Sequence, residues 1–268
     1  MIEEQPPPAG APPPEFAPPP EPPPEPPPAP PPERYPFWGY SDLFLFAGLA
    51  IPSMLLGLGL VKLVMLLFHL HAPVRAVELL PEQFAGYAIL FTALLVMFRM
   101  QYGRPFWRSL AWTGMRFPLF WIVVAGVVTA YAVALLAVKL IHVPEAANPM
   151  TKLLEDRTSV LLMAAFGLTV APLSEELAFR GFLQPLLVRS LGAAPGIVAA
   201  AIPFGLLHYQ EYGDSWRHAL LIFIAGAAFG WMRHATGSTR ASTLMHASYN
   251  AVFFAALFAQ RKDLPHAW

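Results

Sequence analysis

The sequence predicts an all-α membrane protein: a polytopic bundle of seven or eight transmembrane helices that follows a disordered, proline-rich N-terminal tail. Three observations support this fold class. Hydrophobic residues make up 56% of the 268-residue chain and charged residues only 13%, whereas charged residues form about a quarter of a typical soluble domain. Long apolar segments recur from Leu43 onward. Of the 31 prolines, 19 lie within residues 1–36.

The first 36 residues are predicted to be a disordered cytoplasmic tail. Proline runs exclude helix and sheet because proline lacks the backbone N–H, and they favour extended polyproline II. Six glutamates and one arginine give this stretch a net charge of −5, so residues 37–268 carry +5. Residues 6–32 contain PxxP patterns, which could bind a proline-recognising partner. A simple spacer is the other interpretation.

The rest of the chain, residues 37–268, is predicted to form the transmembrane bundle. A helix needs about 20 mostly apolar residues to cross a bilayer. Seven segments are predicted to be membrane helices: 43–68, 84–98, 118–141, 159–189, 195–208, 218–232 and 241–259. The segment 159–189 contains Pro172, so it is either one long helix kinked there or two helices, the second with Ser174 as its N-cap. The second arrangement would add an eighth crossing.

Charges in the connections predict how the bundle is oriented. Four arginines and no acidic residue follow the second segment: Arg99, Arg104, Arg108 and Arg116. Because cytoplasmic loops are enriched in basic residues, this connection and the N-terminal tail are expected to be cytoplasmic. The side on which an internal cavity opens stays undecided. The chain has no cysteine, which excludes thiol catalysis, disulfides and CxxC metal sites, and nucleic-acid binding is not expected.

Ionisable side chains inside apolar segments are candidate functional residues because they are costly to insert into a membrane. Three polar clusters occur in the second half of the chain: Glu175, Glu176 and Arg180; Phe204 and His208; His246 and Asn250. Glu176 and Arg180 are four residues apart and can pair on one helix face. Glu175 is rotated about 100° from Glu176. It is therefore free to act as a general base.

The remaining polar residues suggest complementary roles. His246 and Asn250 are four residues apart and could both donate hydrogen bonds to an oxyanion. His208 could share a water molecule with Glu175, and Phe204 is expected to pack beside the imidazole one turn away. Each cluster alone could be structural. Together, in a chain so poor in charge, they predict one site in the interior of the bundle.

These clusters resemble the motifs of a family of intramembrane proteases that includes the type II CAAX prenyl endopeptidases and the bacteriocin-processing proteins. The three motifs are EExxxR, FxxxH and HxxxN, and they occur here in that order at 175–180, 204–208 and 246–250. The resemblance covers residues 115–260 approximately, which would be the protease core. The proline-rich tail is not part of it.

The resemblance implies an endopeptidase and assigns roles by matching position. Glu175 and His208 would activate water, His246 and Asn250 would stabilise the tetrahedral intermediate, and Glu176 with Arg180 would be structural or would orient Glu175. A catalytic zinc held by Glu175, His208 and His246 is an alternative, because three protein ligands and a water form a common catalytic zinc site. The chain has no HExxH motif.

The resemblance also implies a peptide or protein substrate, prenylated or membrane-embedded, and a multi-pass location in a bacterial cytoplasmic membrane. Two other functions are compatible with the residues. One is a non-catalytic immunity or scaffold protein of the same fold, because fold does not determine function. The other is a proton-coupled transporter with a Glu–His relay, which is less favoured because the polar groups cluster instead of forming a path across the bilayer.

Overall fold

The computed structural model describes residues 1, 10, 34–115, 117–141 and 149–262, with the backbone alone at 150, 151, 261 and 262. The predicted tail and its proline-recognition segment, residues 6–32, lie largely outside the described residues, and so does Arg116. Every regular element in the described part is a helix. The predicted all-α membrane bundle is thus confirmed.

The chain forms eleven α-helices in the described ranges, with two π-helical segments between them. The α-helices are α1 (Tyr40–Leu67), α2 (Arg75–Tyr102), α3 (Phe106–Ser109), α4 (Leu119–Leu136), α5 (Pro149–Lys152), α6 (Arg157–Leu168), α7 (Val170–Glu176), α8 (Gln184–Leu191), α9 (Ala193–Leu207), α10 (Trp216–Thr236) and α11 (Thr239–Lys262). The π-helical segments are Ala137–Ile141, after α4, and Leu177–Leu183, between α7 and α8.

Five helical stretches of the described chain are long and apolar enough to cross a membrane, which makes this a multi-pass membrane protein. They are Tyr40–Leu67, Arg75–Tyr102, Leu119–Ile141, Arg157–Leu191 and Trp216–Thr236. The other two predicted segments also form helices. One is α9, which is apolar but only 15 residues long. The other is α11, a long helix that falls outside this set because it carries more polar residues.

Helix α2 begins nine residues before the predicted segment 84–98, at Arg75. Glu78 and Glu82 lie between the predicted segments 43–68 and 84–98, which leaves them in a connection. In the structure both carboxylates pair with Lys62 of α1, with Lys62 Nζ 3.7 Å from Glu82 Oε1. The ion pairs offset part of the cost of placing these charges within the helix pair, so the predicted boundary is wrong.

The break in the long segment Arg157–Leu191 lies at Thr169, between α6 and α7. Thr169 has φ −128° and ψ −75°, which is outside the helical region. Pro172 explains this position, because a proline cannot donate to the carbonyl four residues earlier and its ring crowds that carbonyl. Ser174 is buried inside α7 and does not cap it, so the alternative in which Ser174 starts a new helix is wrong.

Small residues allow the helices around the site to pack closely. Helix α4 packs against α11, and α9 packs against α10. A methyl group on Gly126 of α4 would lie 2.4 Å from the carbonyl oxygen of Met245, and one on Gly226 of α10 would lie 2.6 Å from Phe204 Cδ1. Both distances are well inside van der Waals contact, so α4 and α10 can approach their neighbours only because these positions are glycine.

Two aromatic-rich clusters hold the elements that carry the polar residues. The first surrounds Trp38, which is fully buried, stacks on Phe182 at 5.3 Å and donates its indole N–H to the Phe182 carbonyl at 3.1 Å. The second includes Phe204 of α9, Phe229 of α10 and Met245 of α11. The π-helical segment that contains Arg180 is thus fixed on both sides.

Candidate active site

The three predicted motifs meet at a single cavity in the bundle. Its volume is about 520 Å³. Glu175 reaches it from the end of α7, His208 from the C-terminal end of α9, and His246 and Asn250 from α11. Most other lining side chains are apolar or aromatic, so the polar groups lie together in mainly apolar surroundings.

The Glu176–Arg180 pair lies behind the residues that line the cavity and is almost completely buried. Arg180 Nη1 is 2.9 Å from Glu176 Oε1, and the two side chains are 1% and 0% exposed. Arg180 Nη2 donates to the carbonyl of Gly226 at 2.7 Å, and its guanidinium lies 4.2 Å from the centre of the Phe204 ring. These contacts fix Arg180 between α9 and α10. They leave Glu175 without the arginine, as the helical spacing predicts.

His246 links the two glutamates. Its Nδ1 is 3.1 Å from Glu176 Oε1, and since a carboxylate can only accept, Nδ1 carries the proton. Its Nε2 lies 3.9 Å from Glu175 Oε2. The ring stacks on Phe229 with centroids 4.5 Å apart. Glu176 therefore contacts His246; the resemblance implied that Glu176 and Arg180 would be structural or would orient Glu175.

His208 is oriented by the turn that precedes it. Its Nδ1 donates to the carbonyl of Phe204 at 2.8 Å, because a carbonyl can only accept. This leaves Nε2 as the nitrogen available to the cavity. The Phe204 ring lies 5.1 Å from the imidazole, which agrees with the expected packing one turn away.

Asn250 lines the cavity but also has a structural contact. Its side-chain amide donates to the carbonyl of Gly167 at 2.8 Å, just before the break at Thr169. One amide hydrogen is thereby used to tie α11 to α6. The second amide hydrogen and the amide oxygen are the groups that can serve a ligand in the cavity.

Several polar residues that the motifs do not include also line the cavity: Gln83, Glu211, Tyr212, His218 and Tyr249. Glu211 Oε2 lies 3.9 Å from His208 Nε2. Desolvation in the cavity wall raises the pKa of Glu211, the nearby His208 opposes this change, and Glu175 adds to it. An acidic residue three positions after His208 in such a charge-poor chain was the sequence signal for it.

An aromatic pair joins Tyr212, in the connection after α9, to His218, in the first turn of α10. Their rings stack with centroids 4.7 Å apart, and His218 Nδ1 is 2.9 Å from Ser215 Oγ. Burial, followed by the charges of Glu211 and Glu175, raises the pKa of Tyr212 to about 12. Tyr212 therefore stays a neutral hydroxyl at physiological pH. No sequence motif marked either residue.

A zinc site made of Glu175, His208 and His246 does not fit this geometry. Within the described ranges, no three His, Asp or Glu side chains are grouped closely enough to bind one ion.

Comparison with known families finds a match in the region of the chain that contains the three motifs. Residues 157–252 match the family model described as Rce1-like, type II CAAX prenyl endopeptidase Rce1-like. The matched segment contains all three motifs, so the resemblance is confirmed for this part of the chain. It supports a membrane protease function in general terms. The chain matches no curated protein and no solved structure.

Proposed function

We propose that the chain with this protease-like segment is an intramembrane endopeptidase that hydrolyses peptide bonds with a water activated by Glu175 and His208. One observation carries the proposal: a single apolar cavity of about 520 Å³ is lined by Glu175, His208, His246 and Asn250, which come from three separate motifs. A carboxylate, two imidazoles and an amide are the groups that acid–base hydrolysis of a peptide requires.

In the proposed reaction a water lies between the Glu175 carboxylate and His208 Nε2. Glu175 takes a proton from this water while the water oxygen attacks the scissile carbonyl carbon. The proton then passes to the leaving amine when the C–N bond breaks. His208 is suited to hold the water because its Nδ1 proton is occupied by the Phe204 carbonyl, which leaves Nε2 to accept.

The negative charge on the carbonyl oxygen would be stabilised by Asn250 and His246. Asn250 has one amide hydrogen left after its bond to Gly167. His246 can donate from Nε2 only when it is doubly protonated, since Glu176 holds the Nδ1 proton. The Glu176 carboxylate would offset the positive charge of that imidazolium, as an acidic partner does for a catalytic histidine.

The proposed substrates are membrane-associated peptides or the C-terminal segments of proteins, with or without a prenyl group. The cavity wall favours such substrates because it contains Val133, Phe253, Phe254 and Leu257 beside the polar groups. These apolar side chains would bind an apolar part of the substrate while the peptide bond lies at Glu175. A bacterial cytoplasmic membrane is the proposed location.

Cleavage of peptide libraries by purified protein tests the general base. Both prenylated and unprenylated C-terminal peptides should be included. We expect Glu175→Gln to lower kcat/KM by about 100-fold or more, the usual range for loss of a general base. Glu155→Gln is the matched control, because Glu155 is exposed and lies outside the lining of the cavity. Equal activity of the parent and Glu175→Gln would contradict the assignment, and no cleavage by the parent would favour a non-catalytic membrane protein.

Treatment with a chelator tests whether protein side chains and water are sufficient for peptide hydrolysis without a metal ion. We expect hydrolysis by the parent to persist after incubation with a strong zinc chelator, because the described side chains do not group as metal ligands. The rate before and after chelation is the measurement. A loss of activity that added zinc restores would contradict the metal-free reaction.

A further inference from the structure

A second cavity adjoins the candidate active site. Its volume is about 410 Å³, and it is bounded by α1, α2 and the segment 149–163. Three residues line both cavities: Gln83, Met163 and Glu211. The second cavity lies mostly outside the family-matched segment 157–252, since most of its wall belongs to α1 and α2.

One oxygen of a buried carboxylate in the wall of this second cavity has no hydrogen-bond partner among the described residues. The residue is Glu82, which is buried, and the oxygen is its Oε1. The nearest cation is Lys62, whose Nζ is 3.7 Å from Glu82 Oε1, which is too far for a hydrogen bond. Buried charged oxygens are normally hydrogen-bonded, and an exception usually marks a water or an ion.

A row of charged side chains leads from the end of the α1–α2 hairpin to this carboxylate. Arg75, Glu78 and Glu82 lie on successive turns of α2, and their side chains are 60%, 17% and 6% exposed. Arg75 Nη1 and Glu78 Oε2 form an ion pair at 2.6 Å. Polar groups thus extend continuously from the exposed helix end to the wall of the second cavity.

The row continues to the active-site cavity. Gln83, next to Glu82, lines both cavities and donates from Nε2 to the hydroxyl of Tyr87 at 3.0 Å. Glu211 lines both as well and lies 3.9 Å from His208 Nε2. We infer that the second cavity is a water-filled antechamber, which opens at the Arg75 end of α2 and supplies the hydrolytic water through Gln83 and Glu211.

Water suits this cavity better than a cation does. Lys62 already places a positive charge 3.7 Å from Glu82 Oε1, and that charge would repel a second cation. The volume is sufficient for several water molecules, each of which takes roughly 30 Å³ in the liquid. The need for such a supply rests on the proposed function, since hydrolysis consumes one water per peptide bond and the bilayer provides none.

Cysteine reactivity tests the antechamber without relying on activity. The chain has no cysteine, so single variants can be labelled in lipid nanodiscs with a charged thiol reagent that requires water and an ionised thiol. Leu79→Cys and Leu153→Cys line this cavity and not the active-site cavity. Phe84→Cys is the matched control on the outer surface of α2, and His71→Cys, in the exposed hairpin connection, is the positive control.

We expect both cavity cysteines to react within about tenfold of the His71→Cys rate and Phe84→Cys to react far more slowly, because only thiolates in water are nucleophilic. Protection of both cavity cysteines would overturn the inference.

Blocking the second cavity supplies the functional readout. A bulky disulfide-forming reagent on Leu79→Cys should reduce hydrolysis by about tenfold, and a reductant should restore it. Unchanged hydrolysis after complete modification would also overturn it. Labelling without any hydrolysis by the parent would instead reject the proposed function alone.

Discussion

At the scale of single residues, the site depends on two adjacent glutamates that differ in burial and in contacts. Glu176 is fully buried and contacts both Arg180 and His246, whereas Glu175 is partly exposed in the cavity. A buried carboxylate with two charged or hydrogen-bonding partners has a fixed position. Glu176 can therefore organise the neighbouring side chains, and Glu175 keeps the freedom that a proton-transfer group needs.

Removal of the arginine from this arrangement should destabilise the protein strongly. We expect Arg180→Met to cost about 3–5 kcal/mol in the free energy of unfolding, because it leaves the Glu176 carboxylate buried without its cation. The double variant Glu176→Gln, Arg180→Met should recover part of this loss. Equilibrium unfolding in detergent micelles measures both. A double variant no more stable than Arg180→Met would contradict the explanation.

At the scale of the helices, glycine positions determine how closely the site elements approach. Gly226 and Gly230 on α10 face the interior, where a methyl group would meet Phe204 or Gln184. The GxxxG pattern of α10 thus serves packing within the bundle. The Gly226 carbonyl also accepts from Arg180, so the spacing between α10 and the π-helical segment influences the whole cavity.

An added methyl group at this contact should damage the site. We expect Gly226→Ala to push Phe204 and Arg180 aside, lower kcat/KM and destabilise the fold by about 1–3 kcal/mol, the usual cost of overpacking. Gly59→Ala in α1 is the matched control, since nothing lies within 4 Å of a methyl group there. That variant should gain up to about 1 kcal/mol, because alanine favours helix. Thermal unfolding and peptide cleavage measure both effects, and equal behaviour of the two variants would contradict this account.

Sequence patterns predict some elements well and others poorly, for physical reasons. Hydropathy finds the apolar helices because burial in lipid demands continuous apolar segments. It misplaces the start of α2, because the pairing of Lys62 with Glu78 and Glu82 is not visible in one segment. It also misses Tyr212, in the connection after α9, and His218, in the first turn of α10, which line the cavity without belonging to any of the three motifs. Helical spacing does predict the Glu176–Arg180 pair, since both residues lie on one local stretch.

At the scale of the whole molecule, the proposed water route predicts the side of the membrane from which the site takes its water. The antechamber leads to the Arg75 end of α2, while the arginine-rich connection follows the opposite end of the same helix. If basic loops stay in the cytoplasm, the Arg75 end faces the other side. The proposed site would then draw water from the non-cytoplasmic side.

Labelling from each side of the membrane checks this orientation. We expect an impermeant thiol reagent to label His71→Cys in intact cells and Gly103→Cys only in inverted vesicles, because the two residues lie at opposite ends of α2. Both positions are outside the helix, so neither change removes a side-chain contact within it. Gly103 has φ +63°, so its replacement by cysteine carries some backbone strain. Arg104→Cys, the next residue, is therefore a second reporter for the same end. Labelling of His71→Cys only from the cytoplasmic side would reverse the predicted topology. It would leave the contacts of the antechamber unchanged but would require its water to come from the cytoplasm.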